Sequence, residues 1–294
     1  MLNDLIRFHE VKKCYSSIQA LKHVSFAIPE NSIFGILGAN GSGKSTLMKI
    51  LPGLIKDWSG DIYYKNQIVS KNNMVLKEEF GYLIEAPTFY EYLSAVKNLE
   101  ILARISNTNF NRISYVLELV GLLDRSKDKV SSYSYGMKQR LGIAQVLLHN
   151  PNVVVLDEPN NGLDPNGIAD MTKLVKKMHC DGKTVILSTH NLKDVENMCT
   201  HFTVFNKGAN STANSMNNLF TKSNKWNIVT ENTDLALKII NESSDIRLVD
   251  SINNRIIIET NFQMSLENIN KLLEKTNPHS ISKESNLIEY FSND

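Results

Sequence analysis

One short stretch constrains this chain more than any other: GANGSGKST at residues 38–46. It follows the apolar run 33–37 and precedes a helical pattern carrying Leu47, Ile50, Leu51 and Leu54. The order is strand, glycine loop, helix, which commits the chain to an α/β fold. Gly38, Gly41 and Gly43 leave backbone N–H groups unobstructed, and the helix that starts after them is positive at its amino end. Such a loop is built to cradle phosphate oxygens. Lys44 reaches the β and γ phosphates of a nucleotide, Ser45 places a hydroxyl on Mg2+, and Asn40 and Thr46 lie against the same ligand.

Two further stretches deliver chemistry to the end of a strand. In VVVLDEP, residues 153–159, four consecutive apolar residues fit a parallel strand buried on both faces, and two carboxylates follow at once. Asp157 is the candidate acceptor for the Mg2+ shell, and Glu158 is the candidate general base for a water attacking the γ-phosphate. In TVILSTHN, residues 184–191, another apolar strand ends in His190. Ligands of doubly wound sheets bind beyond the carboxyl ends of the strands, so three strands bring Lys44, Asp157 with Glu158, and His190 to one edge. His190 reads as a contact to the γ-phosphate and its water.

The remainder of the chain bounds the answer without deciding it. Its 294 residues hold a substantial domain and a small second one, with 42% hydrophobic residues available for cores. The formal net charge of +1 lacks the basic footprint of a nucleic-acid binder. No apolar run reaches the length of a membrane span, and MLNDLIRFHE lacks a basic leader, so a cytoplasmic chain is expected, with any membrane crossing left to another protein. Cys14, Cys180 and Cys199 are odd in number and widely spaced, which favours a reducing compartment over a disulfide framework. Texture divides the chain into 1–208, a nucleotide-binding domain, 209–218, a linker rich in Asn and Ser, and 219–294, an accessory α/β domain. In that last part WNIVT (226–230), IRLVD (246–250) and RIIIET (255–260) read as strands, with SLENINKLLEKT (265–276) and NLIEYF (286–291) as helices.

Between the glycine loop and the carboxylates lies SSYSYGMKQRLGIAQVLLHNP, residues 131–151, in which Met137, Leu141, Ala144 and Leu148 fall at helical spacing after Ser134-Tyr135-Gly136. With the Asn161-Gly162-Leu163-Asp164 turn, the set of motifs in this order resembles the nucleotide-binding subunit of an ATP-binding cassette (ABC) transporter, over about residues 5–208. The resemblance implies a P-loop core sheet, an antiparallel β subdomain from residues 5–33 and 60–70, and a helical insert near 90–150. It implies ATP with Mg2+, a separate integral-membrane permease that holds this chain on the inner face of a bacterial plasma membrane, and a second copy of the chain. Two such domains would meet head to tail across two ATP molecules. Ser134 and the amide of Gly136, at a helix start, would then bind the phosphate held by the other copy. Tyr15 stands where the family stacks an aromatic ring on adenine.

The family pattern is broken at Glu85, in GYLIEAPTFYEYL, where most members carry a glutamine that touches Mg2+ and water in a loop facing the permease. Glutamate keeps the oxygen acceptor but loses the amide donor and adds a charge. Glu85, together with YSYGM for the signature, resembles the subunits of bacterial lantibiotic-immunity and bacitracin-resistance exporters, where the signature reads close to Y-S-L-G-M. Tyr135 departs even from that. The expected function is ATP hydrolysis driving export of a peptide antibiotic. Export of another substrate, or a non-transport regulatory role, stays open at this point.

Overall fold

The computed structural model describes residues 4–69, 78–261, 264–284 and 287, and it divides into two compact units, 1–214 and 215–294. The first unit contains two sheets. The smaller is antiparallel and is built from β1 (Asp4–Tyr15), β2 (Ile18–Pro29), β4 (Ser59–Tyr64) and β5 (Gln67–Ile68), in the order β2-β1-β4-β5. The larger contains β3 (Ile33–Gly38), β6 (Phe80–Leu83), β7 (Val153–Leu156), β8 (Thr184–Thr189), β9 (His201–Asn206) and β10 (Ala209–Asn210), along the path β10-β9-β3-β8-β7-β6. Its strands from β9 to β6 run parallel, and β3, β7 and β8 are buried at every position, which is why they read as continuous apolar runs.

The helices are α1 (Lys44–Ile50), α2 (Ala95–Ile105), α3 (Asn111–Leu119), α4 (Tyr135–Leu147), α5 (Pro165–Cys180) and α6 (Leu192–Met198); α1, α4, α5 and α6 pack on strands, and α2 and α3 pack on α4. α5 shows how the sequence sets one of them. Asp164 accepts from the Gly167 N–H at 2.7 Å, Pro165 opens the helix, and Met171, Leu174, Val175 and Met178 bury one stripe. The two sheets share a core, because Phe26 of β2 stacks on Phe8 of β1 and on Phe34 of β3, with ring centroids 4.7 and 5.5 Å apart. At Gly35 a Cβ would lie 2.8 Å from Cys199 Sγ, so the end of α6 sits directly on β3.

The antiparallel subdomain occupies the expected segments up to Val69, and position 70 lies outside the described residues. The helical insert is present as α2, α3 and α4. Residues 209–218, expected as a linker, contain the boundary between the two units, after Asn214, and carry short elements on either side of it. β10 pairs antiparallel with β9 through Ala209 and Asn206, Asn214–Ser215 is a short strand, and a helix begins at Met216. An Asn- and Ser-rich composition suits edge pairing and helix capping as well as open chain, which periodicity alone does not resolve.

The second unit is a four-stranded antiparallel sheet in the order Ile246–Ile252, Arg255–Thr260, Lys225–Val229, Ser280–Lys283, with helices Thr233–Glu242 and Leu266–Leu273 between strands. In chain order this is strand-helix-strand-strand-helix-strand with the first and third strands central, the ferredoxin-like arrangement. Trp226, Ile228, Ile256 and Ile258 alternate onto one buried face and pack with Ile240, Ile269 and Leu273. The expected strands and the 265–276 helix are found here. The expected helix at 286–291 lies outside the described residues apart from Leu287, which is helical.

Candidate functional site

Because β3, β8 and β7 are neighbours and parallel, their carboxyl ends lie side by side. Lys44 Nζ donates to the carbonyls of Gly38 at 2.8 Å and Ala39 at 3.2 Å, and lies 3.3 Å from Glu158 Oε1. The other oxygen, Glu158 Oε2, lies 2.8 Å from His190 Nδ1. Ser45 Oγ donates to Asp157 Oδ1 at 3.2 Å, and Ser188 Oγ donates to the same oxygen at 2.5 Å while accepting from the Glu158 N–H at 2.9 Å. Glu158 has φ 49, a left-handed conformation unfavourable for a residue with a Cβ. That turn presents both carboxylates at once, with Asp157 toward α1 and Glu158 toward Lys44 and His190.

The glycine loop has the backbone its composition calls for: Gly41 and Gly43 take φ +80 and +110. At Gly43 a Cβ would come within 2.6 Å of the Ala20 carbonyl, so positive φ and close approach both demand glycine. Gly38 is packed as tightly, with the Phe205 carbonyl 2.5 Å from where a Cβ would be. The loop forms one wall of a cleft of about 680 Å³ that Asn40, Lys44, Ser45, Thr46 and Glu158 line, a volume in the range of small-molecule sites. The opposite wall is the β1–β2 hairpin, residues 17–20, joined by Lys22, Lys207 and Gly208. Among the described residues, the buried side-chain atoms lacking a hydrogen-bond partner include Ser42 Oγ and Glu158 Oε1, both at this site.

Tyr15 closes β1 with its ring 46% exposed and Lys13 Nζ 4.5 Å above the centroid. It does not line the cleft, whereas Ile18, 70% exposed on the same hairpin, does. Ser134 caps α4 by accepting from the Met137 N–H at 3.3 Å. Tyr135 accepts from Gln139 Nε2 at 2.9 Å and lays its ring against Gly162, while Gly136 faces Leu163. The signature therefore leans on the 161–164 turn, and neither Ser134 nor Gly136 lines the cleft holding Lys44. Asn160, at the start of that turn, is 9% exposed with both amide atoms unpartnered.

Glu85 makes its ion pair with Lys49 of α1, at 2.6 Å, rather than with Ser45 or Asp157. The Lys49 ammonium holds the Glu85 carboxyl below the usual carboxylate range, and Glu85 in turn raises Lys49. Sequence reasoning passed over Lys49, Ser188, Lys22 and Lys207. Ser188, a hydroxyl inside the apolar run of β8, was the one with a visible signal. The lysines look like any solvated charge until β2, α1 and the 207–208 turn come together.

The description "ABC transporter" belongs to the family model that matches residues 21–161. The bacitracin transport ATP-binding protein BcrA of Bacillus licheniformis is 38% identical over 209 residues, covering 70% of this chain and 68% of that protein. The lantibiotic transport ATP-binding protein SrtF of Streptococcus pyogenes is 36% identical over 194 residues, 66% of this chain and 83% of that protein. Among solved structures, cbiO1 from Clostridium perfringens, part of the ABC transporter complex cbiONQ, superposes with a TM-score of 0.68 at 26% identity, over 82% of this chain and 96% of that one.

Proposed function

From the premise that this chain belongs to the ABC transporter family, as an ATP-binding subunit homologous to the bacitracin and lantibiotic transport ATPases, we propose that it hydrolyses ATP to drive a separate membrane permease exporting a peptide antibiotic. The observation that carries the ATPase reading is the convergence of Lys44 and His190 on the two oxygens of Glu158, at 3.3 and 2.8 Å, at one sheet edge. The names of the relatives support the cargo.

The chain's own groups do the following. Lys44 is held by two carbonyls and by Glu158; a triphosphate in the loop offers it stronger acceptors, and its departure leaves Glu158 Oε1 free to take a proton from water. His190 fixes the other carboxylate oxygen and so orients the base, and its exposed side can reach the γ-phosphate. The amides of residues 40–46 bind the remaining phosphate oxygens. The Ser45 hydroxyl and the Asp157 carboxylate, already 3.2 Å apart, are the hard oxygen donors that suit Mg2+, with Glu85 supplying a further oxygen from its loop. When bound, the ion neutralises charge on the phosphate oxygens. Tyr15 and Ile18 offer surface to the base.

The position of Ser134 and Gly136 away from the cleft supports a second copy of the chain as the source of the phosphate they bind, as in the family. Among the described residues no helix is long and apolar enough to cross a membrane, so the reading assigns the crossing to the permease and the chain to the inner membrane face. Glu158→Gln tests the mechanism: turnover of purified protein falls by roughly 100- to 10,000-fold while ATP binding persists. Unchanged turnover would remove Glu158 from its role.

A further inference from the structure

Three carboxylates follow the neighbouring strands β6 and β7 at the sheet edge that carries the glycine loop, and each has its own partner. Glu158 has Lys44 at 3.3 Å, Asp157 has the hydroxyls of Ser45 and Ser188, and Glu85 has Lys49 at 2.6 Å. The first two partnerships belong to the mechanism above; the third does not. Lys49 lies one helical turn beyond Ser45 on α1, so the face that reaches Asp157 also reaches Glu85. The helix thus presents Lys44, Ser45 and Lys49 to three different acids.

Glu85 itself is loosely held. Its side chain is 70% exposed, its backbone sits at φ 68, and its pairing with Lys49 is the contact that fixes the carboxylate. The pair engages Glu85 Oε1, and among the described residues Oε2 has no hydrogen bond. A glutamine here would bring no charge and need no cation. A glutamate adds a third negative group to the approach of ATP, and like charges at this range repel even through solvent.

We propose that Lys49 is the positioning residue that makes a glutamate workable at position 85, cancelling its charge and holding its carboxylate on the glycine-loop helix as ATP enters. The inference rests on the ATPase reading and adds a dependence peculiar to this variant of the loop: Lys49 matters when residue 85 is an acid and not when it is an amide.

The test is equilibrium ATP binding in EDTA, so that neither Mg2+ nor turnover contributes, for the wild type, Lys49→Met, Glu85→Gln, the double variant and Lys49→Arg. Lys49→Met weakens ATP about fivefold when Glu85 is present and less than about twofold when it is Gln, from the energy of one charge at such a distance in a solvated cleft. Lys49→Arg keeps the charge and tracks the wild type. Equal losses in both backgrounds would mean that Lys49 acts on the phosphates directly, and no loss in either would mean that it does nothing for ATP; each overturns the proposal. If Lys49→Met does not fold, the charge exchange Lys49→Glu with Glu85→Lys takes its place, and it must regain affinity lost in Lys49→Glu alone. A wild-type chain that binds no ATP sinks the ATPase reading itself, a separate result.

Discussion

The two units treat interior polar groups in opposite ways. In the second, each buried hydroxyl or indole noted here has a partner. Thr230 donates to the Thr276 carbonyl at 2.7 Å, Thr276 to that of Leu273 at 2.7 Å, and Trp226 Nε1 to Thr260 Oγ1 at 3.1 Å. In the first, the buried side-chain atoms without a hydrogen bond among the described residues fall on Ser42, Tyr82, Asn160 and Glu158, the last held by the Lys44 ion pair alone. Backbone conformation follows the same division. The left-handed non-glycine residues of the second unit are Asn253 and Asn277, of a type that tolerates the conformation in turns, whereas the first unit, beside turn positions such as Asn31 and Asn150, also places the acids Glu85 and Glu158 there. The first unit keeps a strained, left-handed Glu158 at the edge where a ligand enters, and the second has closed its interior on itself.

That contrast breaks most visibly if the second unit proves to share the first unit's chemistry. Trp226→Ala removes a 4% exposed side chain from the small core and should destabilise that unit by about 3–5 kcal/mol, read as faster amide exchange across 215–284. ATP affinity should stay within about twofold of the wild type, and a parallel loss would abolish the separation drawn above.

Within the first unit, Lys44→Ala should weaken ATP by roughly tenfold to a hundredfold and lower turnover with it, because the phosphates lose a cation. Mixing that chain with Ser134→Arg sharpens the picture. Random pairing makes half the dimers mixed, each with one intact composite site, so activity should return to about a quarter of the wild type. Activity equal to the average of the two mutants would point to a site complete in one chain.

The smallest effect concerns thiols. Cys14 and Cys180 are exposed and Cys199 is buried against Gly35, where burial pushes its thiol far above the ordinary value. A small alkylating reagent should therefore label the first two in the native protein and Cys199 only on unfolding. Labelling of all three under native conditions would show that α6 opens from β3.

Much of this was written in local order. The glycine loop, VVVLDEP and TVILSTHN each announce a buried strand ending in a polar group, and the order of such units leaves few topologies. The ferredoxin-like order of the last unit was hidden, since three strands and a helix can be read from periodicity while their pairing cannot. The short elements within 209–218 were hidden for a related reason. Asn and Ser serve turns, caps and short edges alike, and which one they serve depends on the partner strand.

The sequence by itself determined the phosphate loop, the acids and histidine at the strand ends, and Glu85 as the departure. Tertiary structure alone decided which groups meet: that Lys44 bridges to Glu158, that the signature rests on the turn around Gly162, and that Glu85 finds Lys49 and not Asp157. The physical reason is range. A motif fixes backbone geometry and chemistry over a few residues, but the sequence separation of 36 between Lys49 and Glu85 is closed by the packing of α1 and β6 on one core, which no local pattern encodes.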